Sequence, residues 1–134
     1  MILSFLNKQR EIGLLILRVG MGVMFILHGW PKIQGGPANW TELGHSMSHL
    51  GVTFAPVFWG FMAALAEFGG GICLVLGFAA RPVALIMAFN MLVASLVVYK
   101  PAEGILSAAH PIEAGIVFLG LVFLGAGKYS IDGK

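Results

Sequence analysis

Residues 55–79 read APVFWGFMAALAEFGGGICLVLGFA, and this stretch decides the fold because it is long, apolar and interrupted by a single carboxylate. A helix needs roughly 20 mainly apolar residues to cross a bilayer. Glu67 lies 12 residues from either end of the run, so the helical rise of about 1.5 Å per residue places it roughly 18 Å from each boundary. The stretch therefore predicts a membrane-spanning helix with an acid near its middle.

The rest of the chain has the same character. Of its 134 residues, 58% are hydrophobic and 10% charged, with a mean hydropathy of +0.91, whereas soluble domains carry about 25% charged residues. Three more apolar runs, residues 12–29, 83–99 and 111–127, have spanning length. In the hydrocarbon core of a membrane, only helices and closed barrels satisfy all backbone hydrogen bonds, and these runs are too long for barrel strands. We predict one all-α domain, a transmembrane four-helix bundle in the lipid bilayer.

The basic residues predict the orientation of the bundle. One side of the predicted membrane collects Lys8, Arg10, Arg81, Lys128 and Lys134, and the other has Lys32 and Lys100. The positive-inside rule then places the N- and C-termini in the cytoplasm. The formal net charge is only +2 and the basic residues are dispersed, which excludes a nucleic-acid-binding surface.

The connection between the first two spans is long for a small bundle. Within it, residues 39–50 place Trp40, Leu43, Met47 and Leu50 at helical spacing. One interpretation is a short helix on the outer membrane interface with its apolar side down. The other is an ordinary surface loop.

Glu67 shares its helix face with small residues. The face consists of Gly60, Ala63, Ala64, Gly70 and Gly71. Such a stripe lets another helix approach closely, so Glu67 is predicted to point into the bundle. Burial there favours the neutral acid unless a cation is near. A proton-handling or ligand-holding role and a purely structural interhelix hydrogen bond are both compatible with this position.

Two further groups of polar residues are candidates for contact with Glu67. Towards the cytoplasmic side lie Arg18 and Asn90, and towards the outer end lie His28, Lys32, His110 and Glu113. Arg18 either extends to the membrane surface or pairs with Glu67. Glu113 shares a heptad-spaced face with Gly120 and is predicted to meet a neighbouring helix, although an acid near a helix start also has a local explanation. We treat both groups as candidate ligand-binding residues.

Metal and haem chemistry have little support. His45 and His49 are four residues apart, but no third ligand is fixed beside them. The single cysteine, Cys73, cannot form an intrachain disulfide or a cysteine-based metal site. A haem held by His28 and His110 at the outer face is the other interpretation that these histidines allow. We assign no metal and leave the cofactor open.

The motifs resemble the DoxX family of small four-helix membrane proteins. The similarity runs through Leu17-Arg18-Val19-Gly20, Gly22, Phe25, His28-Gly29, Lys32, Glu67, Gly71, Leu76-Gly77-Phe78, Arg81-Pro82 and Glu113. The closing stretch, residues 125–132, is similar to the family's Gly-Pro-Gly-Arg-Tyr-Ser-Leu-Asp motif, with alanine for the proline and lysine for the arginine. The resemblance implies a bacterial inner-membrane protein.

What the resemblance implies about function is broader. Some relatives are subunits of a thiosulfate:quinone oxidoreductase or of other membrane oxidoreductase complexes, and distant ones are chaperones or cargo receptors. Our first hypothesis is a quinone-binding subunit without a redox centre of its own, in which Glu67 exchanges protons with help from Arg18 or His28 and a partner protein supplies electrons. The second is a non-catalytic assembly or anchoring module. The third is a small proton-coupled transporter. The small-residue stripes also allow a homodimer.

Overall fold

The structure, a computed structural model, describes residues 2–133, which contain no β-strand. Five α-helices follow one another: α1 (Arg10–Gln34), α2 (Gly36–Gly44), α3 (Pro56–Leu76), α4 (Ala80–Val98) and α5 (Ala109–Leu124). Short 3-10 helices cover Ser4–Gln9, His45–Leu50, Pro101–Glu103 and Ile105–Ala108. The stretches long and apolar enough to cross a membrane are Ser4–Gln34, Pro56–Leu76, Ala80–Val98 and Ile105–Leu124. The predicted helical bundle with four spans is confirmed, and its orientation stays a prediction.

The first helix is longer than predicted, since α1 continues past the expected end at residue 29 to Gln34 and carries Pro31 inside it. A proline removes one helical hydrogen bond and usually kinks or ends a helix. Here the helix resumes, and the Gly35 N–H bonds to the Pro31 carbonyl at 3.0 Å. Lys32 therefore lies on a helical face rather than in a loop.

The other spans also shift at their ends. α3 stops at Leu76 rather than at residue 79 because Gly77 takes a left-handed conformation, φ 71°, as the helix cap. α4 begins at Ala80, ahead of the predicted residue 83, since Pro82 fits the first turn of a helix. α5 covers Ala109–Leu124 instead of the predicted 111–127, and Gly125, with φ 76°, is its C-cap.

The long connection is neither an exposed loop nor an isolated helix. α2 packs against α3, where a Cβ added to Gly44 would overlap the Pro56 carbonyl and one added to Gly60 would overlap the backbone of Trp40. Within residues 39–50, the structure has the end of α2 as far as Gly44 and a 3-10 helix after it. α3 therefore packs against α1 along one part of its length and against α2 along another. The location of this segment at the membrane interface stays a prediction.

α1 and α3 meet at nearly van der Waals distance between their backbones. A Cβ on Gly22 would lie 2.6 Å from the Gly71 carbonyl oxygen, and one on Gly29 would lie 2.5 Å from the Phe68 nitrogen. Close approach through small residues is the main packing device of membrane helices. On the same helix, Glu67 is only 5% exposed, so its predicted inward orientation is confirmed.

Gly29→Ala is expected to destabilise the bundle by roughly 1–3 kcal/mol, because the added methyl overlaps the α3 backbone and the helices must separate. Gly20→Ala is the matched control on the same helix, since nothing lies within 4 Å of a Cβ there. Thermal unfolding of both variants in detergent measures the difference. Equal stability of the two variants would contradict the tight packing of α1 on α3.

Candidate functional site: a groove between two spanning helices

Glu67 is bound by two side chains from two other helices. Lys32 Nζ, from the last turns of α1, lies 2.8 Å from both carboxylate oxygens of Glu67. Asn90 of α4 donates a hydrogen bond from Nδ2 to Oε1 at 3.1 Å. We call these three residues the Glu67 triad. It joins α1, α3 and α4 at one level of the bundle.

The triad depends on the extension of α1 beyond Pro31. α2 fixes the backbone of α1 at Lys32, because Trp40 Nε1 and Asn39 Nδ2 both donate hydrogen bonds to the Lys32 carbonyl, at 3.0 and 3.3 Å. The aliphatic stem of a lysine lets its charged end reach along the helix. The ammonium therefore extends to the buried carboxylate of Glu67, while the Lys32 backbone lies two residues before the end of α1.

This pairing differs from both predicted surroundings of Glu67. Asn90 is the predicted neighbour that the structure brings to the carboxylate. The cation is Lys32 rather than Arg18, and Lys32 comes from the group that we had placed at the outer end. The attraction between an ammonium and a carboxylate in contact offsets part of the cost of burying the carboxylate.

A groove opens beside the triad. Its volume is about 610 Å³, within the range of small-molecule sites. The walls come from α3, α4 and the 3-10 helix after α2, and they include Met47, Trp59, Met62, Leu65, Cys73, Ile86, Met87, Phe89 and Val93. The polar residues at its surface are Lys32, Ser46, Glu67 and Asn90. The groove is therefore an apolar slot with the triad as its polar floor.

The groove is long, and its mouth faces lipid. Along α3 it extends from Trp59 to Cys73, which corresponds to roughly 21 Å of helix. Leu65, Ile86 and Phe89 line it and are 41%, 55% and 48% exposed. Because these exposed side chains belong to membrane-spanning helices, a ligand would enter the groove from the bilayer.

Trp59 is a groove residue that sequence reasoning missed. Among residues 2–133, its indole Nε1 is the one buried side-chain nitrogen or oxygen without a hydrogen-bond partner. Its ring packs edge to face on Phe58, with 5.0 Å between centroids. A tryptophan near the end of a span is ordinarily an interface anchor, so nothing in the sequence marks Trp59 as a groove residue.

Arg18 has a different role from either predicted one. It is 1% exposed and donates to three backbone carbonyls: Nε to Leu74 at 2.8 Å, and the two terminal nitrogens to Ala126 at 2.7 Å and Tyr129 at 2.9 Å. Arg18 thus neither extends to the surface nor contacts Glu67. It fixes the segment after α5 against α1 and α3.

The same segment is fixed at other points. Asp132 accepts hydrogen bonds from the backbone N–H groups of Ala79 and Ala80, both at 2.8 Å, and so caps the start of α4. Arg81 donates to the carbonyls of Val122 and Phe123 at the end of α5. The closing motif, residues 125–132, and the turn at Arg81-Pro82 therefore close one end of the bundle.

The remaining candidates lie away from the groove. His28 and His110 pack edge to face with 5.9 Å between ring centroids, and both are exposed. Glu113 is exposed as well, so the prediction that it meets a neighbouring helix of this chain is wrong. The buried stripe of α5 is Pro111, Ala114, Phe118 and Leu121. The heptad-spaced face of Glu113 and Gly120 lies beside that stripe.

Fold and site together define a small polytopic membrane protein with a lipid-facing groove and a partly buried ion pair. The DoxX family model matches residues 13–100, and the chain belongs to the DoxX family. It is an integral inner-membrane protein. No solved structure matches the chain significantly.

Three bacterial relatives show how far the similarity extends. The inner membrane protein YqjF of Escherichia coli is 36% identical over 132 residues, 95% of each chain. An uncharacterised protein of Haemophilus influenzae is 31% identical over 96% of this chain and 95% of its own length. The putative oxidoreductase CatD of Bacillus subtilis is 32% identical over 93 residues, 69% of this chain and 64% of its own length.

Arg18→Lys is expected to destabilise the protein by about 3 kcal/mol, because one ammonium cannot replace a guanidinium that binds three carbonyls. The freed end segment should also be cut faster by trypsin at Lys128. Thermal unfolding and a digestion time course measure the two effects. Arg10→Lys, at the exposed start of the same helix, is the control, and equal behaviour of the two variants would contradict the role of Arg18.

Replacing one partner of the ion pair should cost more stability than replacing both. Lys32→Gln leaves a buried carboxylate without its cation, a change expected to destabilise the protein by about 3 kcal/mol. In the double variant Lys32→Gln, Glu67→Gln, two neutral amides pair and part of that loss is recovered. A double-mutant cycle by thermal unfolding measures the coupling, with the exposed Lys100→Gln as control. Additive effects would show that the pair is not coupled.

Proposed function

We propose that the chain binds a quinone, or a closely similar amphipathic carbonyl compound, in the groove between α3 and α4 as a subunit of a membrane oxidoreductase system. The observation that carries the proposal is the position of the Glu67 triad as the polar floor of a lipid-facing groove of about 610 Å³. A molecule with a polar ring and an apolar tail matches both parts of this site.

The triad has hydrogen-bond capacity left for a ligand. Lys32 Nζ uses two of its donor directions on Glu67, and an ammonium has three. Asn90 Nδ2 makes one bond to Glu67 and has a second N–H. Both groups can therefore donate to a carbonyl oxygen at the floor of the groove, where water is scarce and hydrogen bonds are strong.

Glu67 supplies the proton chemistry. Reduction of a quinone to a quinol consumes two electrons and two protons, and a carboxyl group beside the carbonyl oxygens is suited to pass protons to them. The electrons come from a partner protein, such as a flavoprotein or a sulfur enzyme. The similarity to a protein named as a putative oxidoreductase supports this placement in redox chemistry.

One observation favours a second candidate, the non-catalytic assembly module. The triad takes one residue from each of three helices, which is also the arrangement expected of an interhelix lock. No comparable observation favours the transporter hypothesis.

Binding of a short-chain quinol analogue to the protein in nanodiscs tests the proposal, with quenching of tryptophan fluorescence as the readout because Trp59 lines the groove. Asn90→Leu and Glu67→Gln should each weaken binding about tenfold, the equivalent of one hydrogen bond to the ligand. Glu103→Gln, exposed and outside the groove, should bind like the parent protein.

The possible results separate the candidate functions. Unchanged binding by Glu67→Gln would remove Glu67 from the ligand site. Absence of binding by the parent protein, together with loss of folded protein in Glu67→Gln, would favour the assembly module. Proton release on addition of lipophilic cations would revive the transporter.

A further inference from the structure

Glu113 is an exposed carboxylate near the middle of a membrane span. Gly115, two residues later, lies beside Met91, since a Cβ on Gly115 would be 3.4 Å from the Met91 Cβ. Met91 follows Asn90, which bonds to Glu67. Glu113 therefore lies only about 3 Å along α5 from the level of the triad. At that depth an acid normally faces protein or water.

The chain itself offers Glu113 no partner. Within residues 2–133 it makes no side-chain hydrogen bond or ion pair within the distances that define them. Its place in the helix does not explain it either, because α5 begins at Ala109 and Glu113 lies beyond the first turn, where the helix dipole has faded. A lipid-exposed carboxylate in this position needs a partner from outside the chain.

Two imidazoles lie on the same side of the bundle. His110 precedes Glu113 by three residues, so the two share one face of α5. His28 of α1 packs on His110, with 5.9 Å between the ring centroids. All three residues are exposed. Gly120, one heptad after Glu113, has nothing within 4 Å of an added Cβ. We call this surface the α1–α5 face.

We propose that the α1–α5 face is the interface with a second copy of this chain. The face is self-complementary in hydrogen bonding, because it carries one carboxylate that accepts next to two imidazoles whose N–H groups donate. A two-fold axis brings each Glu113 opposite the histidines of the other copy and satisfies both sites at once. The open surface at Gly120 permits the two α5 helices to approach closely.

The dimer leaves the groove accessible. The groove lies between α3 and α4, whereas the proposed interface lies on α1 and α5, across the bundle. The proposal therefore stands without quinone binding, and it explains why His28, His110 and Glu113 are polar although none of them lines the groove.

Disulfide cross-linking in native membranes tests the interface. Because Cys73 is the only cysteine, Cys73→Ala gives a cysteine-free background. Leu124→Cys adds a thiol on the face of α5 that carries Glu113 and Gly120, at a position 41% exposed, and Ile116→Cys adds another on the same flank. Leu85→Cys, 55% exposed on α4, is the control. Covalent dimers are expected from at least one α5 position and not from Leu85→Cys.

A second measurement addresses Glu113 itself. Glu113→Gln should raise the dimer dissociation constant about tenfold, because the two-fold axis doubles the loss of an interhelix hydrogen bond. Thermal unfolding of the monomer in detergent should not change. Three results would each overturn the proposal. These are equal cross-linking on α4 and α5, cross-linking only to a different protein, and an unchanged dimer dissociation constant in Glu113→Gln.

Discussion

The close approach of α1 and α3 is the constraint on which the rest of the structure depends. At Gly22, Gly29 and Gly71 the two backbones leave no room for a side chain, so the register of the helices is fixed along their whole length. That register brings Lys32 to Glu67 and Arg18 to the Leu74 carbonyl. A shift by one residue would rotate the buried stripe of either helix by about 100° and separate both pairs.

Arg18 and Lys32 of α1 then have different roles at the two ends of this contact. Arg18 donates hydrogen bonds to backbone carbonyls of α3 and of the segment after α5. Its forked guanidinium suits three separate acceptors better than an ammonium does. Lys32 reaches the carboxylate of Glu67 with a single charged point. The bundle is thereby closed at one end and holds a polar floor in the groove near its middle.

Part of this arrangement was predictable from local sequence patterns. The spans follow from apolar run length, and the inward orientation of Glu67 follows from the small residues on its face. The continuation of α1 through Pro31 was not predictable, because tertiary contacts of the next turn decide whether a helix resumes after a proline. Because the continuation of α1 was not predicted, Lys32 was expected at the outer end. Heptad spacing also could not show that Glu113 is exposed and meets no other helix of this chain.

The sequence by itself determined that the protein lies in lipid, that it has four spans, and that Glu67 points inward near the middle of its helix. These features depend on run length and helical periodicity alone. Only the tertiary structure decided which cation meets Glu67, which carbonyls bind Arg18, and that α3 and α4 leave a groove beside Asn90. Those outcomes depend on the relative register of separate helices. Register is set by contacts between backbones that lie far apart in the chain.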